Sequence, residues 1–332
     1  MTFIVATLNH FRAVQAWAQA NDAEVQLDVL TFEMEVKARH RYFSLKPQFL
    51  ASMDGRFAHV PTLTPEATGL IGWLPYRPPL RWDVAGDKLT FKSLIAQSGF
   101  KTPDWWTEPA RAESDHILKR SRGSFGYELY GPYRTGALLP AVPAESRTGQ
   151  IFAERFIHGR NVKLWFWGEA PFFAHVHDYP TATGDGASSV RQLVDRRLQR
   201  VGRALDDSAE ASVILQALAY QGHGLDDVPA EGEKFWLDYR YGRTFTSSPV
   251  TSQSDNALGQ LGSDAQGQAQ ALGRFLASEL LKVLPAPVLC SVDAVLDAQG
   301  TLWWLEMNSN PILPPDGYPL ILSTLFGDGG RG

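Results

Sequence analysis

A chain of 332 residues is too long for one simple core and suits two or three packed domains. Its composition, 44% apolar and 20% charged with a net charge of −5, excludes a disordered chain and argues against a general nucleic-acid or membrane-surface binder. The single Cys290 excludes an intrachain disulfide and a cysteine-rich zinc site. No apolar run is long enough for a membrane span and no cleavage pattern follows MTFIVATLNHFRAVQAW, so a cytoplasmic location is expected.

In chain order, residues 2–8 (TFIVATL) have the β-branched content of a strand. His10 to Asn21 places Phe11, Val14, Trp17 and Ala18 at helical spacing, and Val25 to Phe32 suggests a second strand. This predicts a βαβ opening without the glycine fingerprint of a dinucleotide site. Lys37 to Pro65 is expected to be irregular; its His40–His59 part, basic and aromatic, suits packing of a small N-terminal domain or a larger partner. A proline-rich turn at residues 75–79 leads to a domain boundary near residue 84.

Asp87 to Gly99 predicts a helix with Phe91, Leu94 and Ile95 on one face, Lys88 and Lys92 one turn apart, and Gly99 as its stop. A strand at Ile117–Leu118 runs into Lys119 and the short loop Gly123-Ser124-Phe125-Gly126. Small residues let backbone N–H groups approach a phosphate and a lysine adds a point charge; an ordinary surface turn has the same composition. Strands are expected at Ile151–Ile157 and Val162–Trp167, helices at Ser189–Ala204, Ser208–Tyr220 and Gln268–Val283, and a polar loop at Thr244–Gly267. His175 and His177 read as structural or substrate-facing residues rather than zinc ligands.

The most informative stretch is Cys290 to Pro311, CSVDAVLDAQGTLWWLEMNSNP, two strands joined at Asp297-Ala298-Gln299-Gly300. With an even-numbered turn, 293 lies opposite 304 and 291 opposite 306. Ser291, Asp293, Glu306 and Asn308 then share one face with Trp304 beside them. Cys290, Val292, Ala294, Leu296, Trp303, Leu305 and Met307 share the other. Two carboxylates and an amide on rigid strands suit Mg²⁺, which binds through one or two carboxylates plus substrate phosphates. The same alternation fits a half-buried hairpin with a solvated polar face.

From Asp87 to Ile321, the order of these pieces resembles the ATP-grasp carboxylate–amine ligases, the superfamily of D-alanine–D-alanine ligase, glutathione synthetase and biotin carboxylase. The carrying motifs are Asp87-Lys88 with Gly99 to Pro103, Lys119 with its glycine loop, Glu154-Arg155-Phe156-Ile157 with Gly159, and Glu306-Met307-Asn308-Ser309-Asn310-Pro311. Gly184 to Val194 and Leu225 to Glu233 are similar to the cyanophycin-synthetase and bifunctional glutathione-synthetase branch.

The resemblance implies an α/β ATP-grasp fold: a small N-terminal α/β domain (1–84), a subdomain with the glycine loop (85–150) and one with the metal site (151–328). Lys88, Lys119, Gly123, Ser124 and Gly126 would bind ATP phosphates, and Glu154, Arg155, Phe156 and Ile157 the adenine. Asn161 stands where relatives carry an acidic ribose contact. Asp293, Glu306 and Asn308 would hold Mg²⁺, as two ions, with Mn²⁺ as a substitute. Ser291 replaces a usual arginine, so Arg240, Arg243 and Lys163, in that order, are candidates for the missing catalytic charge. The strand that relatives place near Arg240 to Ser248 is not preserved. The implied reaction activates a carboxylate as an acyl phosphate and joins it to an amine, with amino-acid or peptide substrates. No nucleic-acid or membrane partner is implied, and a homodimer is allowed. Phosphoryl transfer without ligation and non-catalytic nucleotide binding are the alternatives.

Overall fold

In the computed structural model, the described residues are 2–38, 40–53, 56–77, 80–123, 129–140, 145–146, 149–206, 211–241, 245, 255–284 and 287–327. The chain opens with α1 (Thr2–Ala20), followed by β1 (Ala23–Leu27), β2 (Met34–Ala38), β3 (Arg41–Met53), β4 (Arg56–Val60) and β5 (Ala67–Leu74). These strands form one antiparallel sheet in the order β1-β2-β3-β4, with β5 also on β3. The expected βαβ opening is therefore wrong: residues 2–8 belong to the helix, and 34–38, 41–53 and 56–60 are strands rather than irregular. Val14, Trp17 and Ala18 of α1 are buried against this sheet, and that tertiary packing outweighs the strand propensity of TFIVATL.

Next come α2 (Asp83–Gly86), α3 (Lys88–Gln97), β6 (Trp105–Trp106), β7 (His116–Arg120), β8 (Tyr130–Tyr133), β9 (Glu145–Ser146) and β10 (Gly149–Arg155). Asp87 caps α3, its carboxylate accepting from the Leu89 and Thr90 N–H groups, which helix N-termini otherwise leave unsatisfied. At the other end Gly99 has φ +79°, the left-handed stop expected there. A second antiparallel sheet runs β6-β10-β7-β8, with β9 on β10.

The third sheet is built from β11 (Arg160–Trp167) and β12 (Ala170–His177), then β13 (Thr181–Thr183), α4 (Val190–Gln199), α5 (Ala211–Gln221) and β14 (Lys234–Trp236) intervene. Helix α6 (Ser263–Leu280) follows, then β15 (Leu289–Leu296), β16 (Leu302–Asn308) and α7 (Gly317–Phe326). The sheet order is β12-β11-β15-β16, while β13 and β14 pair separately. Helix α6 begins five residues before the expected Gln268, inside the stretch expected to be loop.

The third sheet has one wholly apolar face. Val162, Leu164, Phe166, Cys290, Val292, Ala294, Leu302, Trp304 and Met307 pack there under α3 and α6. At one end, the opposite face packs Trp165, Trp167 and Phe173 against α1, the first sheet and α7. The Tyr318 hydroxyl ties these together, accepting from Trp73 N–H (3.0 Å) and meeting His10 Nδ1 (2.9 Å). A smaller core joins α4, α5, β13 and β14, and Ser189 and Gln192 form the capping box of α4.

Candidate active site

The register of the third sheet sets three rows of side chains on its second face, because directly paired residues point the same way. The middle row is His175, Lys163, Asp293 and Glu306. One row along lie Phe173, Trp165, Ser291 and Asn308; on the other side lie His177, Asn161, Val295 and Trp303. Asp293 and Glu306 are thus direct cross-strand neighbours.

This pairing differs from the expected one. The loop between the strands is Asp297 to Thr301, an odd number, and a bulge follows Asp293 so that Ala294 pairs with Trp304. The four polar residues still share a face. Trp304 instead lies on the apolar side, 1% exposed, while Trp303 turns to the polar side and donates from Nε1 to Asp297.

Lys163 Nζ donates to both oxygens of Asp293 at 2.8 and 3.1 Å, and Asn308 Nδ2 donates to Asp293 Oδ2 at 3.1 Å. Lys88 Nζ, at the first turn of α3, sits 2.9 Å from Glu306 and donates to the Gly123 carbonyl at 2.7 Å. Burial raises the Asp293 carboxyl above its ordinary value, and Lys163 only partly offsets this. Burial also pushes Glu306 up, but Lys88 and Lys119 outweigh it and leave that carboxyl below its usual range.

A second acid–lysine cluster lies on the facing sheet. Glu154 of β10 and Lys119 of β7 are diagonal neighbours on one face. Glu154 is only 1% exposed and forms ion pairs with Lys119 at 2.5 Å and with Lys92 at 2.6 Å. Lys92, fully buried, also donates to Thr102 Oγ1 (2.9 Å) and the Pro103 carbonyl (3.1 Å). Desolvation pushes its ammonium down to about 8, with Glu154 acting in the opposite direction. No sequence motif marks Lys92 as a site residue. Its place one turn after Lys88, between the apolar Phe91 and Ile95, was the available sign that it faces inward.

Both clusters face one cavity of about 770 Å³, within the size range of small-molecule sites. Among the expected nucleotide-binding residues, Lys88, Lys119, Gly123, Glu154, Arg155, Phe156, Ile157 and Asn161 all line it. Ser124, Gly126 and Arg243 lie outside the described residues. Arg240 lines the cavity while forming a two-pronged pair with Asp238 (3.1 and 2.9 Å). Lys163, named last among the candidates for catalytic charge, is the one that stands in the carboxylate row. Asn161 donates its amide to the Tyr239 carbonyl at 2.9 Å. Gly159 is required by close approach: a Cβ there would lie 2.3 Å from the Leu296 carbonyl oxygen.

The donor set fits a hard divalent cation bound together with substrate oxygens. Among the described residues no three His, Cys, Asp or Glu side chains gather into an all-protein cage. Two carboxylates and an amide beside several lysines match Mg²⁺ held jointly with phosphates. The Tyr239 hydroxyl, buried on the cavity wall without a partner, is a polar group that a nucleotide oxygen would satisfy. No helix among the described residues is long and apolar enough to cross a membrane.

No protein-family model matches the chain. No curated protein sequence matches it either. Among solved structures it is similar to a bifunctional glutathione synthetase from Pasteurella multocida (13% identity, TM-score 0.40), covering 95% of this chain and 43% of that one. A D-alanine–D-alanine ligase from Bacillus anthracis (11%, TM-score 0.35) covers 73% of this chain and 66% of its own. An L-amino acid ligase from Bacillus licheniformis (11%, TM-score 0.32) covers 73% and 45%. The chain thus spans less than two thirds of the length of each. The observed architecture is mixed α/β, the class expected from the sequence.

Proposed function

We propose that this protein is an ATP- and Mg²⁺-dependent ligase that activates a carboxylate as an acyl phosphate and joins it to an amine. The observation that carries this reading is the row Lys163–Asp293–Glu306, joined by Lys88, facing Lys119 across a single cavity. Phosphoryl transfer needs positioned cations and an oriented nucleophile more than covalent help from the protein.

Asp293, Glu306 and the amide oxygen of Asn308 would hold Mg²⁺, which supplies charge neutralisation on the phosphates. Lys88 and Lys119 would bind phosphate oxygens. Lys119 is held in place by Glu154, so the glutamate serves as its anchor, and the backbone of Arg155 to Ile157 would meet the base edge. Lys163, paired with Asp293, would meet the charge that develops on a γ-phosphate held by the two carboxylates, and Arg240 lines the same cavity. Preorganised donors of this kind contribute most when charge moves in the transition state.

The substrate carboxylate oxygen attacks the γ-phosphorus, the bond to the β-phosphate oxygen breaks, and ADP leaves. The amine then attacks the carbonyl carbon, phosphate departs with the bonding pair, and the nitrogen loses a proton. A closed site protects the acyl phosphate from water.

The test is ADP release from the purified chain with Mg²⁺-ATP, with acid and amine supplied separately and together. Release that requires both, and a hydroxamate when hydroxylamine replaces the amine, is expected. A stable phosphorylated product formed without any amine would favour a phosphotransferase instead.

A further inference from the structure

We infer that the carboxylate substrate is an amino acid with an uncharged, apolar or aromatic side chain, seated where the N-terminal sheet closes the cavity over Trp165. This deepens the ligase reading and rests on it.

The three rows of the third sheet order the cavity. Asn161, next to the Arg155–Ile157 linker, lies on one side of the Lys163–Asp293–Glu306 row; Trp165 and Ser291 lie on the other. The Trp165 side begins the end of the cavity remote from the linker. Trp165 donates from Nε1 to the Ile312 carbonyl at 2.8 Å, and Leu313 N–H donates to the Ile71 carbonyl at 2.9 Å. The first bond ties β11 to the segment after β16 and the second ties that segment to β5, which brings Ile312 and Ile71 to the Trp165 side. Leu50 and His59, directly paired across β3 and β4, line the same cavity with Ile71.

Leu50, Ile71, Trp165 and Ile312 offer only carbon surface and an engaged indole N–H. Burial lowers the His59 imidazole below its ordinary value, so it is neutral at pH 7, and its Nδ1 is buried without a partner. Ser291, beside Trp165, carries no charge. A charged side chain entering this end would lose its water against carbon surface, and the nearest cation, Lys163, is already paired with Asp293, a cost that apolar side chains do not bear. Lys163, whose ammonium lies 5.7 Å from the Trp165 ring centre, marks the boundary. An amino acid lying across that boundary would put its carboxylate in the Lys163 row and its side chain on Trp165.

Hydroxylamine makes the acid specificity readable without knowing the amine. With Mg²⁺-ATP, leucine, methionine and phenylalanine are expected to give hydroxamate at least tenfold faster than glutamate, aspartate, lysine or arginine. Leu50→Arg, at a half-buried position, should cut that preference tenfold or more while Mg²⁺-ATP binding by calorimetry stays unchanged. Ile71→Ala, which adds no charge to the core, should shift the preference toward bulkier side chains. Charged amino acids reacting as well as apolar ones would overturn the inference and leave the ligase reading intact. So would a protein that binds Mg²⁺-ATP yet makes hydroxamate from no amino acid. Failure to bind Mg²⁺-ATP would remove both.

Discussion

Two acid–lysine clusters face each other across the cavity, and their difference is instructive. Around Glu154 one carboxylate meets two lysines in a nearly sealed interior, with Glu154 1% and Lys92 0% exposed. Around Asp293 and Glu306 two carboxylates meet two lysines on a cavity wall, at 16% and 25% exposure. The first is closed by its own partners and Lys92 has further hydrogen bonds, so its charges hold each other. The second presents paired carboxylates to a space large enough for a ligand. Similar residue types thus serve anchoring in one place and ligand binding in the other, and the burial of the pair decides which.

Removing one charge from each cluster should separate these roles most widely. Glu306→Gln should lower ADP formation by about 10²–10³-fold while the unfolding midpoint in urea barely moves. Glu154→Gln should destabilise the fold by about 3–5 kcal/mol, because it strands Lys92 as an unpaired buried charge. If the two variants lost stability equally in urea, the distinction between the clusters would fail.

The sealed cluster should also leave a mark on the pH dependence of stability. Lys92 sits at about 8 in the folded state against 10.5 for an ordinary lysine. Between those values the unfolded chain binds the extra proton, so stability rises with pH from about 8 to about 10.5. The increment is lost again as pH falls from about 10.5 to about 8, and amounts to about 3 kcal/mol if this group alone titrates. Urea unfolding across this window should show the rise in wild type and a flatter profile in Lys92→Met.

A smaller change checks that lost stability alone does not imitate lost function. Ser189→Ala removes the capping box of α4, far from both clusters in sequence. It should cost about 1 kcal/mol in urea and leave ADP formation at the wild-type level. A parallel fall in turnover would mean that turnover follows stability, and would weaken any reading of Glu306→Gln as a specific effect.

The closing hairpin was legible because strand alternation survives on its own: apolar residues mark one face and carboxylates the other whatever the exact pairing. Trp303 and Trp304 were exchanged because a bulge is set by packing and loop length, which alternation does not reveal. The N-terminal region was misread for the opposite reason. TFIVATL has strand-like residues, but a helix seated on β5 and α7 buries Val14, Trp17 and Ala18. The alternating burial of Met34 to Ala38 is written in the sequence as apolar and charged residues in turn, but five residues are a short period-2 signal beside the histidines and arginines that follow. Within the site, Lys88 and Lys119 could be found from their flanking patterns. That Glu154 is enclosed by two lysines depends on how β7 pairs with β10 and how α3 packs over them, and no local spacing encodes it.

The central claim is that the Asp293–Glu306 row is a Mg²⁺-nucleotide site, and calorimetric titration of ATP with and without Mg²⁺ tests it most directly. Wild type should bind ATP at least tenfold more tightly with Mg²⁺ present, and Glu306→Gln should lose that enhancement while remaining folded. ATP binding that is indifferent to Mg²⁺, or an enhancement that survives in Glu306→Gln, would contradict it.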